Sequence, residues 1–335
     1  TYPEGRKIVI KIGIVGVGGM GTVHISNYAH IDGCKVVALC DISEAAAGKA
    51  GEIDASLYTD LDEMLMSEEL DVVDVCTPTF MHKQHVMKAL QQGKHVIVEK
   101  PIALNSEDVK EMFALAKQKD LHLFVGQVLR FTRESGVLRQ LVESGEYGKV
   151  LDASFSRLSA CPRWIKNGWL FDKAKSGLLP FDLHIHDLDL IVSLFGKPKD
   201  FSFTSCGNKD KSYKEHYRFN YNYGDFNVCA QAAWYNADIP FTATWQVYFE
   251  NAVVINDKQG VIAYRFDHEP YKFDTEERIK IPTGINVPPT EIYLNELTHF
   301  MDCLREDKDS HMISEEQIIT VMEILSSIDK MEQTA

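Results

Sequence analysis

Three groups of residues have the types and the spacing to do chemistry. The first is Gly16-Val17-Gly18-Gly19-Met20-Gly21, which closes an apolar run beginning near Lys7. In a G-x-G-x-x-G turn the first glycine makes the tight bend, the second lets a pyrophosphate approach the backbone, and the third lets strand and helix pack closely. The segment through His24 can continue as a helix, whose N-terminus would face a phosphate with unpaired N–H groups and a partial positive charge. Asp41 follows Gly21 by 20 residues, at the end of the strand-like Lys35–Cys40. An acid there is placed to accept hydrogen bonds from ribose hydroxyls. The alternative is that Asp41 caps a helix over Ile42–Ala50. The second group is Lys100, set between Glu99 and Pro101 at the end of another strand. A lysine is most often a surface charge, but a partly desolvated ammonium at a strand end is a good hydrogen-bond donor to a substrate oxygen. The third is Asp182, His186 and Asp189, at i, i+4 and i+7 on one helix face, with His184 and Asp187 pointing elsewhere. Histidine titrates near neutrality and suits the movement of a hydroxyl proton during alcohol oxidation, the alternative being a structural His–Asp pair.

The elements that must position these groups fall into two textures. Between residues 7 and 127 apolar strands alternate with helical patterns, which predicts βαβ units and a parallel sheet. Helices are expected over Leu61–Ser67, His82–Gln92 and Ser106–Lys119, and strands over Leu70–Cys76, His95–Val98 and Leu121–Gly126. Ligands of an open parallel sheet lie outside the carboxyl ends of its strands, so Gly16 to Gly21, Asp41, Thr77, Lys100 and Gln127 should converge. After a further helix at Val137–Ser144 the chain turns to strands: Val150–Leu158, Asp200–Ser205, Tyr217–Tyr223, Asn227–Trp234, Thr242–Phe249 and Val261–Tyr264. Strand following strand predicts a mostly antiparallel sheet. In Phe241–Phe249 the set Phe241, Ala243, Trp245, Val247 and Phe249 alternates with polar residues and Tyr248, leaving one face for helices and the other for a subunit interface or solvent. Helices are expected at Phe181–Phe195, Glu291–Arg305 and Ser314–Met331, and either closing helix could pack back on the first domain. The predicted fold is thus α/β plus α+β, with domains at residues 7–127 and 128–335.

Composition narrows the function. The 335 residues carry 45% hydrophobic and 25% charged residues, ordinary for a globular enzyme. A formal net charge of −14 works against nucleic acid or an anionic membrane surface as the partner. Cys34, Cys40, Cys76, Cys161, Cys206, Cys229 and Cys303 lack C-x-x-C spacing, so reduced thiols and no zinc site are expected. No signal-peptide pattern and no apolar run of ~18 residues is evident, which points to a cytoplasmic enzyme. Residues 1–6 are assigned no role.

The run Thr77-Pro78 with His82, then Ala89-Leu90, Gly93-Lys94-His95-Val96 and Glu99-Lys100-Pro101, resembles the oxidoreductase family of glucose–fructose oxidoreductase and inositol dehydrogenase (Gfo/Idh/MocA). Arg130-Phe131, Gly145, Gly148-Lys149-Val150, Trp169, Ser176-Gly177, Asp182, His186-Asp187 and Asp189 extend the resemblance through about residue 196. It implies a doubly wound Rossmann domain, then an open antiparallel sheet with helices on one face, and NAD or NADP. The implied reaction is hydride transfer at a secondary alcohol of a sugar, sugar derivative or cyclitol. On the cofactor side it adds Met20, Pro78, His82 and Glu99 to the strand-end residues above. Lys100 and His186 would be catalytic, with Asp182 binding a substrate hydroxyl or orienting the histidine. Asp41 followed by Ile42 rather than arginine favours NAD. Arg163, Trp164 and Trp169 precede the catalytic helix and are expected to line the sugar site. Thr79 and Leu178 depart from the family's usual asparagine and second glycine, and the second departure bears on sugar identity. A homodimer or homotetramer through the C-terminal sheet is expected. A glycosidase using transient oxidation, a non-catalytic NAD-sensing protein and a methyltransferase are the competing readings.

Overall fold

A computed structural model describes residues 9–163 and 166–334. The chain divides into two compact units, one of residues 9–131 with Glu277–Glu315, the other of Thr132–Glu276 with residues 316–334.

The first unit runs β1 (Ile10–Val15), α1 (Gly19–Tyr28), β2 (Cys34–Cys40), α2 (Ala45–Ile53), β3 (Ser56–Tyr58), α3 (Leu61–Ser67), β4 (Val72–Val75), α4 (His82–Gln91), β5 (His95–Glu99), α5 (Ser106–Gln118) and β6 (Leu123–Gly126). Its six strands are parallel, in the order β3-β2-β1-β4-β5-β6. This is the doubly wound dinucleotide-binding order, which reverses direction between β1 and β4. Ile12, Ile14, Val73, Val75, Val96 and Val98 are fully buried, as expected of strands covered on both faces. Asp60 and Asn105 cap α3 and α5 by accepting from the Glu63 and Asp108 amides. Strand β3 is not evident in the sequence, because three residues are too few for a period to register. Helix α2 begins at Ala45, so Asp41 is not its cap.

The second unit holds α6 (Arg133–Ser144), β7 (Val150–Ala160), α7 (Lys173–Ser176), α8 (Ile185–Phe195), β8 (Asp200–Cys206), β9 (His216–Asn222), β10 (Asn227–Tyr235), β11 (Thr242–Phe249), β12 (Ala252–Asp257), β13 (Gly260–Tyr264) and β14 (Tyr271–Lys272). Helix α9 (Ile292–Glu306) then belongs to the first unit and α10 (Glu315–Thr334) largely to the second, so the units are not separated by a single cut in the chain. The strand order is β14-β13-β12-β11-β7-β10-β9-β8, antiparallel throughout except for the β7–β10 pair. Alternation sorts the faces. Tyr217, Phe219 and Tyr221 are buried under helices, while Arg218 and Asn220 are exposed. His184, the residue just before α8, meets the covered face with its ring centroid 3.8 Å from that of Phe219, and α10 meets it through Glu332, which accepts from the Tyr217 hydroxyl at 2.6 Å. On the open face a groove of about 690 Å³ is lined by Ser154, Ser156, Asn220, Gln231 and Gln246 among others. The alternation expected in β11 holds for Trp245, Val247 and Phe249; Ala243, near the start of the strand, is exposed, and Phe241, which precedes it, is 58% exposed.

Leu178 is 4% exposed and adopts φ +63, a conformation that costs a side chain with a Cβ about 1–2 kcal/mol. Its amide donates to the Ser176 hydroxyl at 2.9 Å, which helps hold the turn. The position where the sequence departs from the family's glycine is therefore one whose backbone still has glycine-like geometry. Elsewhere alanine is usually the more stable of the two small residues. Here Leu178→Gly should be more stable than Leu178→Ala by about 1 kcal/mol in chemical denaturation, and the reverse order would refute a strained backbone.

Candidate functional site

Register places the carboxyl ends of the parallel strands along one edge of the first unit. Val15 lies opposite Cys40 and Val75, Val75 opposite Val98, and Glu99 opposite Gly126. The residues that follow are Gly16, Asp41, Cys76-Thr77, Lys100 and Gln127, so the predicted strand-end group does come together.

The glycine turn divides by cause. Gly16 has φ +90, and a Cβ there would stand 2.8 Å from the Cys76 and Thr77 backbone. A Cβ on Gly21 would stand 2.0 Å from the Gly16 carbonyl oxygen, so helix and strand can touch only with glycine at this point. At Gly19 it would meet Ile285 at 3.0 Å. A Cβ on Gly18 would meet nothing within 4 Å, so packing within the protein does not demand glycine at the position where the motif places a phosphate. Helix α1 starts at Gly19, and the amides of its first turn, Met20 included, have no carbonyl partner inside the helix. Asp41 Oδ2 accepts from the Val17 amide at 2.6 Å and Oδ1 from the Ser43 amide at 2.7 Å. This fixes the carboxylate beside the turn and leaves each oxygen a further lone pair for a hydroxyl. These residues fit an adenine dinucleotide.

The remaining first-unit residues differ in accessibility. Thr77 Oγ1 lies 3.1 Å from His85 Nδ1. His82 is 1% exposed, with Nδ1 2.9 Å from the Pro101 carbonyl oxygen and Nε2 2.6 Å from that of Thr77. It thus braces the Thr77-Pro78 turn against the Lys100-Pro101 turn, and burial holds its pKa below the ordinary histidine value. Gln127 is buried. Lys100 is half-buried, its peptide bond to Pro101 is cis, and its amide donates to Glu99 Oε2 at 3.1 Å.

In the second unit, the predicted helix starts with a π turn over Pro180–His184 and continues as α8. Asp182 and His186 are both half-buried, whereas Asp189, expected on the same face, is 1% exposed. His184 and Asp187 do point elsewhere, toward the sheet. His184 Nε2 lies 2.6 Å from the Tyr221 hydroxyl, and burial, with Arg157 nearby, lowers its pKa to about 3. Asp187 Oδ1 accepts from Arg157 at 2.8 and 3.2 Å. Trp169 is half-buried in a 3-10 turn over Lys166–Phe171, and Arg163 forms an exposed ion pair with Asp238 at 3.2 Å. Trp164 lies outside the described residues.

Comparison with known proteins bears on both units. Residues 10–127 match the oxidoreductase family with NAD-binding Rossmann fold, and residues 137–264 match the GFO/IDH/MocA C-terminal domain. The chain belongs to the Gfo/Idh/MocA family. Among curated relatives of this family, it is 32% identical over 192 residues to a 2,7-anhydro-N-acetylneuraminate hydratase of Mediterraneibacter gnavus, covering 57% of this chain and 51% of that protein. It is 32% identical over 195 residues to a D-glucoside 3-dehydrogenase of Escherichia coli, covering 56% and 55%. The chain thus spans about half the length of these curated relatives. The fold matches a levoglucosan dehydrogenase complex with NADH and levoglucosan at TM-score 0.82 and 17% identity, over 97% of this chain and 98% of that one.

One cluster beneath the glycine turn is not evident in the sequence. His24 of α1 places Nδ1 2.7 Å from Asp74 Oδ2 and Nε2 3.0 Å from Glu99 Oε1, and the Tyr28 hydroxyl donates to Asp74 Oδ2 at 2.8 Å. Burial by itself would depress the His24 pKa, but Asp74 and the Cys76 sulfur together offset it and hold the value well above the ordinary histidine value. The signal available was Asp74 itself, a charge inside an apolar strand buried on both faces.

Packing and binding are thus assigned to different glycines of the turn. Gly21→Ala should cost at least about 2 kcal/mol of stability. Gly18→Ala should leave unfolding within about 0.5 kcal/mol of the parent while weakening NAD at least about tenfold in a fluorescence titration. Unchanged NAD affinity in Gly18→Ala would remove Gly18 from the binding turn.

Proposed function

We propose that this protein is an NAD-dependent dehydrogenase acting on a secondary alcohol of a sugar, sugar derivative or cyclitol. The observation that carries the proposal is the alignment of the glycine turn, Asp41 and Lys100 just past the ends of strands β1, β2 and β5 of one parallel sheet. Relatives whose names denote sugar chemistry support the substrate class. Asp41 and the absence of an arginine beside it support NAD over NADP.

In this reading Gly16 to Gly21 hold the pyrophosphate, Asp41 the adenosine ribose, and Thr77, Pro78, His82, Glu99 and Gln127 shape the rest of the cofactor side. NAD, when bound, supplies the nicotinamide ring that accepts the hydrogen leaving the alcohol carbon. Lys100 donates a hydrogen bond to the reacting oxygen and favours its developing negative charge. His186 takes the hydroxyl proton, and Asp182 orients the imidazole or binds a neighbouring hydroxyl. Arg163, Trp164 and Trp169 are assigned to the sugar side. Among the described residues all seven cysteines are free and no helix is long and apolar enough to cross a membrane, which supports a cytoplasmic setting. The open polar sheet face supports a homodimer or homotetramer, and a monomer by light scattering would count against it.

A second reading has a specific observation behind it, the relative named as a hydratase. There the same oxidation would be transient and the coenzyme would be restored in each turnover. A panel of sugars, glycosides and inositols separates the two: accumulation of NADH marks a dehydrogenase, whereas product formation with trace NAD and no NADH marks the recycling reaction. With the best substrate of that panel, Lys100→Met and His186→Ala should each lower kcat at least about a hundredfold under saturating NAD. A loss confined to KM would overturn the assigned roles.

A further inference from the structure

We propose that His24 is a positioning residue for Lys100, an imidazolium clasped between Asp74 and Glu99 that fixes the turn presenting the lysine. The inference rests on the reading of Lys100 given above. Its geometric basis is that the Glu99 carboxylate is shared. Oε1 lies 3.0 Å from His24 Nε2, and Oε2 accepts the Lys100 amide at 3.1 Å. The other ring nitrogen lies 2.7 Å from Asp74 Oδ2. Both partners are carboxylates, and only the protonated ring donates from both nitrogens. Exposures of 1% for His24, 0% for Asp74 and 8% for Glu99 keep water from substituting for any of these bonds.

Charge explains why the ring is there. Without His24, Asp74 and Glu99 would be two carboxylates buried close together with no cation between them. That arrangement is relieved when one carboxyl takes up a proton or swings away. Glu99 is the freer of the two, because the Tyr28 hydroxyl also holds Asp74, at 2.8 Å. Movement of Glu99 releases the Lys100 amide. The remaining neighbours do not replace the ring. Cys76 is a thiol whose pKa burial pushes far up, with Sγ 3.4 Å from His24 Nδ1, and Tyr293 of α9, its ring 6.4 Å from that of His24, is a phenol that burial and Glu99 hold neutral, so neither supplies a cation. His24 is also five residues along the helix that starts at Gly19, so one rigid element sets both the glycine turn and the Lys100 turn.

The test uses His24→Phe, which keeps a ring and removes both donors. In the protein without added nucleotide, hydrogen exchange across residues 99–103 should quicken at least about tenfold, with residues 10–15 unchanged. With the best sugar of the panel, kcat should fall at least about tenfold with KM within about twofold, and the same substitution should change kcat less than about twofold when Lys100 is already methionine. An equal fall in both backgrounds, or unchanged exchange at 99–103, would overturn the proposal. If Lys100→Met itself keeps full kcat, the functional reading fails and so does this role, while the exchange arm still reports whether His24 orders the turn. Should His24→Phe not fold, Glu99→Gln takes its place, with the same exchange and kcat outcomes expected and the same results fatal.

Discussion

The first unit is organised by one close approach. Gly21 meets the Gly16 carbonyl so tightly that a Cβ would stand 2.0 Å away. This contact brings α1 down onto the end of β1 and aims its N-terminus along the strand ends. The strand order and register then follow from burying both faces of a parallel sheet, which leaves the turns after β1, β2, β4, β5 and β6 along one edge. A larger residue at Gly21 would lift the helix, and with it would go the phosphate-facing amides and the His24 ring. Binding and positioning therefore depend on one backbone contact that carries no chemistry of its own.

Buried charge is the second theme, and it is placed where elements must be held in one relation. His24 with Asp74 and Glu99 joins a helix to two strands in the first unit, and Arg157 with Asp187 joins β7 to α8 in the second. Buried ion pairs of this kind add little net stability over apolar residues of the same shape, because desolvation offsets their attraction. What they add is a high cost for any other arrangement, since each partner left alone would be an uncompensated charge in the interior. Arg157 lies on the helix-covered face of the sheet, so its partner on α8 fixes the rotation of that helix. The rotation in turn leaves Asp182 and His186 half-exposed while His184 and Asp187 face inward.

Much of this was legible in the sequence, for reasons that can be stated. The parallel sheet announces itself because strands buried on both faces read as continuous apolar runs, and α3 matches its expected span because Leu61, Met64 and Leu65 repeat at helical spacing. Strand-end residues could be named because a parallel sheet puts ligands there whatever its sequence. Strands β3, β12 and β14 were not legible: β3 and β14 are two or three residues long, and β12 follows β11 with almost no turn signal. The π turn at Pro180–His184 left no trace either, since it lies at the start of the helix and too few residues precede it for the shift in phase to show. His24 escaped because a histidine inside a helix carries no signal until its partners, 50 and 75 residues away, are known.

Leu178 shows how backbone and side chain can be decoupled. Its φ of +63 is a geometry that glycine adopts freely, yet the side chain is a buried leucine. A conformation kept at a cost of about 1–2 kcal/mol implies that the surrounding turn determines it more strongly than the residue does. The contacts that do so are visible: Gly177 at φ +72 packs where a Cβ would strike Phe181, and the Ser176 hydroxyl binds both the Leu170 carbonyl and the Leu178 amide. The turn into the helix bearing Asp182 and His186 is thus held by Ser176, Gly177 and Phe181, and it imposes its geometry on the leucine at 178.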